Sequence, residues 1–326
     1  MANITMVESV SLALAHELTH DKDVVVLGED VGINGGVFRA TSGLAQKFGE
    51  DRVIDTPLAE AMIAGMTVGM STQGMKPVAE AQFLGFIFPM FEHIACHAAR
   101  MRNRTRGRMH CPLVIRAPFG GGIHAPEHHS ESIEAMFAQI PGLRVVIPSS
   151  PSRAYGLLLA AIRDPDPVLF LEPKRIYRHV KEEVIDDGEE LPLDMCFELR
   201  VGDDITLVTW GSMVKETLEA ADILAKQGIS AEVIDVATVS PIDHDTIAES
   251  VAKTGRCVII QEAPQHCSVG SEIAATLAEK SLYSLMAPVK RVSGYDVIMP
   301  LFKLEKKYMP SVQRILKAVN EVMEVS

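Results

Sequence analysis

Short apolar runs alternate with stretches of helical period along almost the whole chain. In residues 5–20, Met6, Val10, Ala13, Leu14 and Leu18 fall on one helical face, and Thr5 with Glu8 forms a capping box. Residues 24–30, 52–54, 76–82, 111–117, 143–147 and 168–172 read as strands. The longer of these are apolar on both faces, the pattern of strands buried in a parallel sheet. Helices are predicted from Pro57, with Asp55 or Thr56 as N-cap, from Ser132, and over 152–163. Phe83, Phe86, Phe88 and Phe91 lead into a further helix that ends in the basic run 100–108. The alternation restarts with strands at 205–211, 229–236, 257–261 and 289–292, and helices at 213–227, 244–253, 271–281 and about 310–323. Between the two halves, residues 180–204 turn acidic and rich in turn formers, the composition of a boundary. The expected fold class is α/β with two doubly wound domains, 1–185 and 204–326, joined by an acidic linker at 186–203.

A chain of 326 residues has room for two cores. Its formal charge of −12 argues against a nucleic-acid binder and suits a basic partner protein. Five cysteines at irregular spacing, with no Cys-x-x-Cys pair, read as reduced thiols. No basic-then-apolar leader and no apolar run of transmembrane length is evident, so a soluble, cytoplasmic protein away from membranes is expected.

Candidate chemistry concentrates in Gly120–Ser132. Three glycines there let backbone approach a ligand closely, and His124, His128 and His129 follow within six positions. The segment follows a predicted strand, and parallel sheets bind ligands at the carboxyl ends of their strands. A plain surface loop is the bland alternative. Transition-metal ligation by the three histidines is another, although His93–His97 lacks the glutamate of a His-Glu-x-x-His motif. Glu60 falls in the first turn of its helix, where a carboxylate also simply suits the helix dipole. Gly65 and Gly69, with Ala61 and Ala64, form a small-residue face suited to tight helix or subunit packing. The phenylalanines are core candidates, one of them a possible stacking surface for a flat ring. The basic run reads as a solvated helix end or a contact for an acidic partner.

Glu60, four residues, Gly65, Met66, two residues, then Gly69 resembles the signature of the pyrimidine-binding domain in transketolase-like, thiamine-diphosphate-dependent enzymes. His128 to Ala135, Pro141-Gly-Leu, Val146-Ile-Pro, Gly28 to Gly32, residues 162–167, Val239 to Asp243 and Tyr308-Met-Pro extend the match over the whole chain. Together they are similar to the β subunit of the decarboxylating first component of 2-oxoacid dehydrogenase complexes. The resemblance implies that Glu60 meets the aminopyrimidine ring nitrogen of thiamine diphosphate in a shielded setting and favours the imino tautomer. It implies Phe86 as the stacking aromatic, Gln82 as a cofactor contact, and His129, ahead of His128, as proton donor in acyl transfer to a lipoyl group. His124 is expected to line the channel.

Such enzymes hold Mg²⁺ and diphosphate with Gly-Asp-Gly and a later Asn, and this chain has no Gly-Asp-Gly. The resemblance therefore implies half of each active site, completed by an α subunit in an assembly of two α and two β chains. It also implies docking of the dihydrolipoyl acyltransferase component on the C-terminal domain, and a K⁺ site at Leu113, Ala161, Ile162, Asp164 and Asp166. Pro165 and Asp166 depart from the more usual Asn-Asn or Asn-Asp there. The segment from Gly120 to Glu127 is closer to pyruvate-type chains than to branched-chain 2-oxoacid (2-oxoisovalerate) ones, with acetoin dehydrogenase as a third reading. A metal hydrolase acting without a partner, and a purely structural subunit, are the rivals from other classes.

Overall fold

A computed structural model describes residues 2–325. The apolar runs of the first half become β2 (Val24–Gly28), β3 (Val53–Asp55), β4 (Lys76–Glu80), β5 (Val114–Phe119), β6 (Arg144–Val146) and β7 (Val168–Pro173). They follow β1 (Ala2–Thr5) and precede β8 (Lys181–Val184). The second half supplies β9 (Phe197–Arg200), β10 (Ile205–Thr209), β11 (Ala231–Asp235), β12 (Thr238–Ser240), β13 (Cys257–Pro264) and β14 (Lys290–Gly294). Among the described residues, one sheet runs β12-β6-β7-β5-β4-β2-β3 and a second β14-β13-β10-β11-β9. Two α/β domains result, as the alternation predicts.

Three features depart from simple alternation. The expected linker at 186–203 contains β9, which pairs antiparallel with β11 as an edge strand. β12 crosses over and pairs antiparallel with β6, so a segment of the second half completes the first sheet. β1 and β8 pair antiparallel in a small ribbon that the apolar pattern does not announce. Edge and ribbon strands need bury only part of their side chains, so the long apolar run that marks a central strand is missing.

The first helix, Met6–His20, has the predicted capping box, with the Glu8 carboxylate accepting from the Thr5 amide and hydroxyl at 2.7 and 2.6 Å. Its apolar face packs on the helix Pro151–Arg163. The predicted helix from Pro57 instead begins at Glu60, with Ala59 as N-cap. Asp55 is drawn away from capping because its carboxylate accepts the amides of Gly32 and Ile33 at 2.6 and 3.1 Å. The helix predicted from Ser132 starts at Glu134. The long helix predicted after the phenylalanines is broken into 3-10 turns, a π-helical turn His93–Ala98 and the short helix Met101–Arg104. On the small-residue face, Gly65 lies against the His93 imidazole, whereas Gly69 has open space beside it.

Under the first sheet Arg116 is fully buried between two carboxylates. Its Nε and Nη2 donate to Glu172 at 2.6 and 2.9 Å, and Nη1 to Glu80 at 3.1 Å. Burial raises the pKa of Glu80. Against its own burial, Arg116 is held charged by Glu172 and Glu80. Removing the cation strands two carboxylates in the core. Arg116→Met should therefore lower unfolding free energy by about 3–5 kcal/mol, read from denaturant midpoints at constant slope.

Candidate functional site

Strands β3, β2, β4 and β5 are neighbours in that order and run parallel, so their carboxyl ends share one edge of the sheet. Glu60 follows β3, Gln82 and Phe86 follow β4, and His129 follows β5. The topology thus brings the four predicted residues of the cofactor half-site to that edge. All four are half-buried in this chain. Glu60 is the first residue of the helix Glu60–Thr72. Its charge lies near Glu29, whose pKa is raised first by burial and then by Glu60 and Asp30.

His129 is seated by aromatic rings. Its imidazole packs against Phe83 and Phe86, with centroids 4.5 and 5.1 Å away, and its Nδ1 is buried without a hydrogen-bond partner among the described residues. The turn Glu127–His129 touches the turn Leu84–Phe86 because Gly85 carries no side chain; a Cβ there would lie 1.9 Å from the His128 carbonyl oxygen. His128 is exposed and stacks on Phe88 at 6.4 Å. His124 turns toward Glu305, with Nε2 3.4 Å from its carboxylate. His128 and His129 both pack against Phe86 while His124 faces Glu305, and among the described residues no group of three His, Cys, Asp or Glu forms a metal-binding cluster.

Acidic residues remote in sequence hold this stretch. Glu262, on β13, accepts the amide of Gly121 and the hydroxyls of Ser132 and Ser212 at 3.1 and 2.7 Å. Glu305 accepts the amides of Gly122 and His124 at 2.8 and 3.2 Å. Lys174 sits 5.6 Å from the Phe83 ring centroid, and burial pushes its pKa down to about 7 against the pull of Glu262 and Glu131. None of these three stood out in the sequence. Their partners lie far away in sequence, so only the fold brings them together.

The five positions of the expected K⁺ site gather around the end of the helix Pro151–Arg163. Pro165 has no N–H for the Ala161 carbonyl, and the Asp166 amide donates to the Asp164 carboxylate, at 2.8 Å, instead of to Ile162. Those two carbonyls thus lie in the last turn without their usual helical donors, at the negative end of the helix dipole. The Leu113 carbonyl accepts the Val168 amide, while Asp164 and Asp166 are ion-paired with Arg144 and Arg102 at 3.2 and 2.8 Å. Backbone oxygens therefore suit a weakly hydrated cation there, and the carboxylates are already engaged. A cleft of about 920 Å³ also opens between the domains, past Met136, Val239, His244 and Cys267; it is lined by none of the predicted site residues.

Beside the histidine stretch, Glu134 is fully buried; one carboxylate oxygen accepts from Trp210 Nε1 at 3.4 Å and the other has no partner among the described residues. Burial, reinforced by Glu262, raises its pKa from 4.5 to about 7. A carboxyl whose folded pKa is raised favours folding most below its unfolded value, and that contribution is lost as pH rises toward 7. Glu134→Gln should remove the loss. Relative to the parent, its thermal midpoint should climb between pH 5 and pH 8, by a free-energy gain on the order of 3 kcal/mol.

Comparison with known proteins identifies the family. Residues 2–180 match the family model of the transketolase pyrimidine binding domain, and residues 197–315 that of the transketolase C-terminal domain. A pyruvate dehydrogenase E1 component subunit beta from Bacillus subtilis (strain 168) is 47% identical over 324 residues, covering 99% of this chain and 100% of the relative. The protein of that name from Staphylococcus aureus is 48% identical with the same coverage. A solved structure described as a split gene transketolase, inactive beta4 tetramer, superposes with a TM-score of 0.81 at 26% identity over 99% of both chains. Two transketolase-type domains in this order, with near-half identity along the full length, make the chain a member of the β-subunit family of the pyruvate dehydrogenase E1 component.

Proposed function

We propose that the chain is the β half of a thiamine-diphosphate-dependent pyruvate dehydrogenase. With an α subunit, in an assembly of two of each, it releases CO₂ from pyruvate and transfers the acetyl unit to an oxidised lipoyl group. The observation that carries this reading is full-length identity of 47–48% to proteins of that name, together with Glu60, Phe86 and His129 on one sheet edge. Thiamine diphosphate, when bound, supplies the electron sink that decarboxylation needs.

The chain's own groups have distinct tasks. Glu60, at the open edge, holds a proton at the pyrimidine ring nitrogen. Phe86 offers a ring face to the pyrimidine and Gln82 an amide. The unpartnered Nδ1 of His129 fits a ligand-facing role, and the ring donates a proton during acyl transfer. Leu113, Ala161, Ile162, Asp164 and Asp166 hold K⁺, chiefly through carbonyl oxygens, and so brace the strand and helix ends. Mg²⁺ and the diphosphate belong to the α chain, since this chain lacks Gly-Asp-Gly. The acyltransferase component docks on the acidic C-terminal domain, and the complex works in the cytoplasm. No helix among the described residues is long and apolar enough to cross a membrane.

Co-purification with the α subunit should give pyruvate turnover that requires both chains and thiamine diphosphate. Preference for 2-oxoisovalerate would move the chain to the branched-chain class, and zinc-dependent activity from the β chain alone would overturn the half-site reading. In the assembled enzyme, Glu60→Ala should lower decarboxylation by about 10²–10⁴-fold, measured with an artificial electron acceptor. His129→Ala should lower lipoyl acylation by at least about 10²-fold and spare the acceptor-linked reaction.

A further inference from the structure

The stretch that carries His129 is closed on itself by the other domain. One oxygen of Glu262, Oε1, accepts both the Gly121 amide and the Ser132 hydroxyl, the two ends of the segment 121–132. Its second oxygen is fixed by the Ser212 hydroxyl at 2.7 Å, so the carboxylate cannot rotate without losing a partner. Gly120 comes so close that a Cβ would lie 2.7 Å from Oε1, and its φ of +82° is one that glycine adopts freely. The Gly120 amide donates to the Glu131 carbonyl at 2.9 Å, tightening the same closure.

Within that ring the histidine follows from its ends. The His129 and Ser130 amides donate to the Pro126 and Glu127 carbonyls at 3.0 and 2.9 Å, a single 3-10 turn with little freedom of its own. The turn is aimed by its attachment at 121 and 132, by the contacts of His129 with Phe83 and Phe86, and by the close approach of Gly85 to His128. Behind Phe83 lies the ammonium of Lys174, 4% exposed, in the field of Glu262 and Glu131. Glu262 is itself only 5% exposed. A buried carboxylate is costly unless its lone pairs are filled, and here the loop ends fill them.

We propose that Glu262 is a positioning residue for His129: a carboxylate of the second domain that holds both ends of the histidine loop and so sets the ring's place for acyl transfer. Glu305 plays the lesser part, steadying Gly122 and His124 on the outer side. This coupling makes the geometry of one domain's catalytic loop depend on how the other is seated. The inference rests on the proposed role of His129, and displacement of a catalytic group by an ångström is enough to cost about 10²-fold in rate.

The test uses the assembled two-chain enzyme and two assays: decarboxylation with an artificial electron acceptor, and acylation of a lipoyl domain. Glu262→Gln should lower acylation kcat by roughly 10–100-fold while acceptor-linked turnover stays within about 3-fold. Added to His129→Ala, the same substitution should cost less than about 2-fold more, because its effect passes through the histidine. Ser132→Ala, which removes one loop tie and disturbs folding least, should show the same split in milder form. It carries the test if Glu262→Gln does not assemble. Equal loss in both assays, an unchanged acylation rate, or full additivity with His129→Ala overturns the positioning role. If His129→Ala itself fails to separate the two assays, the reading of His129 falls first, and that outcome is distinct.

Discussion

Backbone pairing puts Asp55, Gly28, Glu80 and Arg116 in one row across four parallel strands. The loops that carry Glu60, Gln82, Phe86 and His129 leave the sheet from that row or beyond it. The register is protected by what lies beneath, where Arg116 ties Glu80 on β4 to Glu172 on β7 across the strand between them. A slip of one residue would turn these charges to the opposite face, away from their partners. Chemistry at the edge therefore depends on a buried ion triad that takes no part in it.

The second domain is more than an attachment for partners. It supplies β12 to the edge of the first sheet, and it supplies Glu262 and Glu305 to the glycine–histidine stretch. Glycines at that stretch serve two ends. They allow the backbone to meet those carboxylates, and they let a short loop close on itself at its two ends. The same economy appears at Gly85, where the absence of a Cβ lets the phenylalanine turn and the histidine turn touch.

Much of the fold was legible because central parallel strands must be apolar on both faces. Residues 24–28, 114–117, 168–172, 205–209 and 257–261 announce themselves this way. The capping box at Thr5 was equally plain, since its donor and acceptor are three residues apart. Helix starts were less so. Asp55 has the chemistry of an N-cap, but Gly32 and Ile33 outcompete the nearby helix for it. The edge strands β9 and β12 were hidden because their pairing partners, not their own composition, make them strands.

Local sequence thus determined the alternating elements, the glycine–histidine stretch, and Glu60 in the first turn of its helix, since each rests on spacing within a few residues. Tertiary structure alone decided which histidine is packed against phenylalanine and left with an unpartnered nitrogen. It alone decided that Glu262, 141 positions from Gly121, closes the loop. A carboxylate's partners are set by distance in space, and hydrogen bonds between remote segments leave no period or spacing in the chain to read.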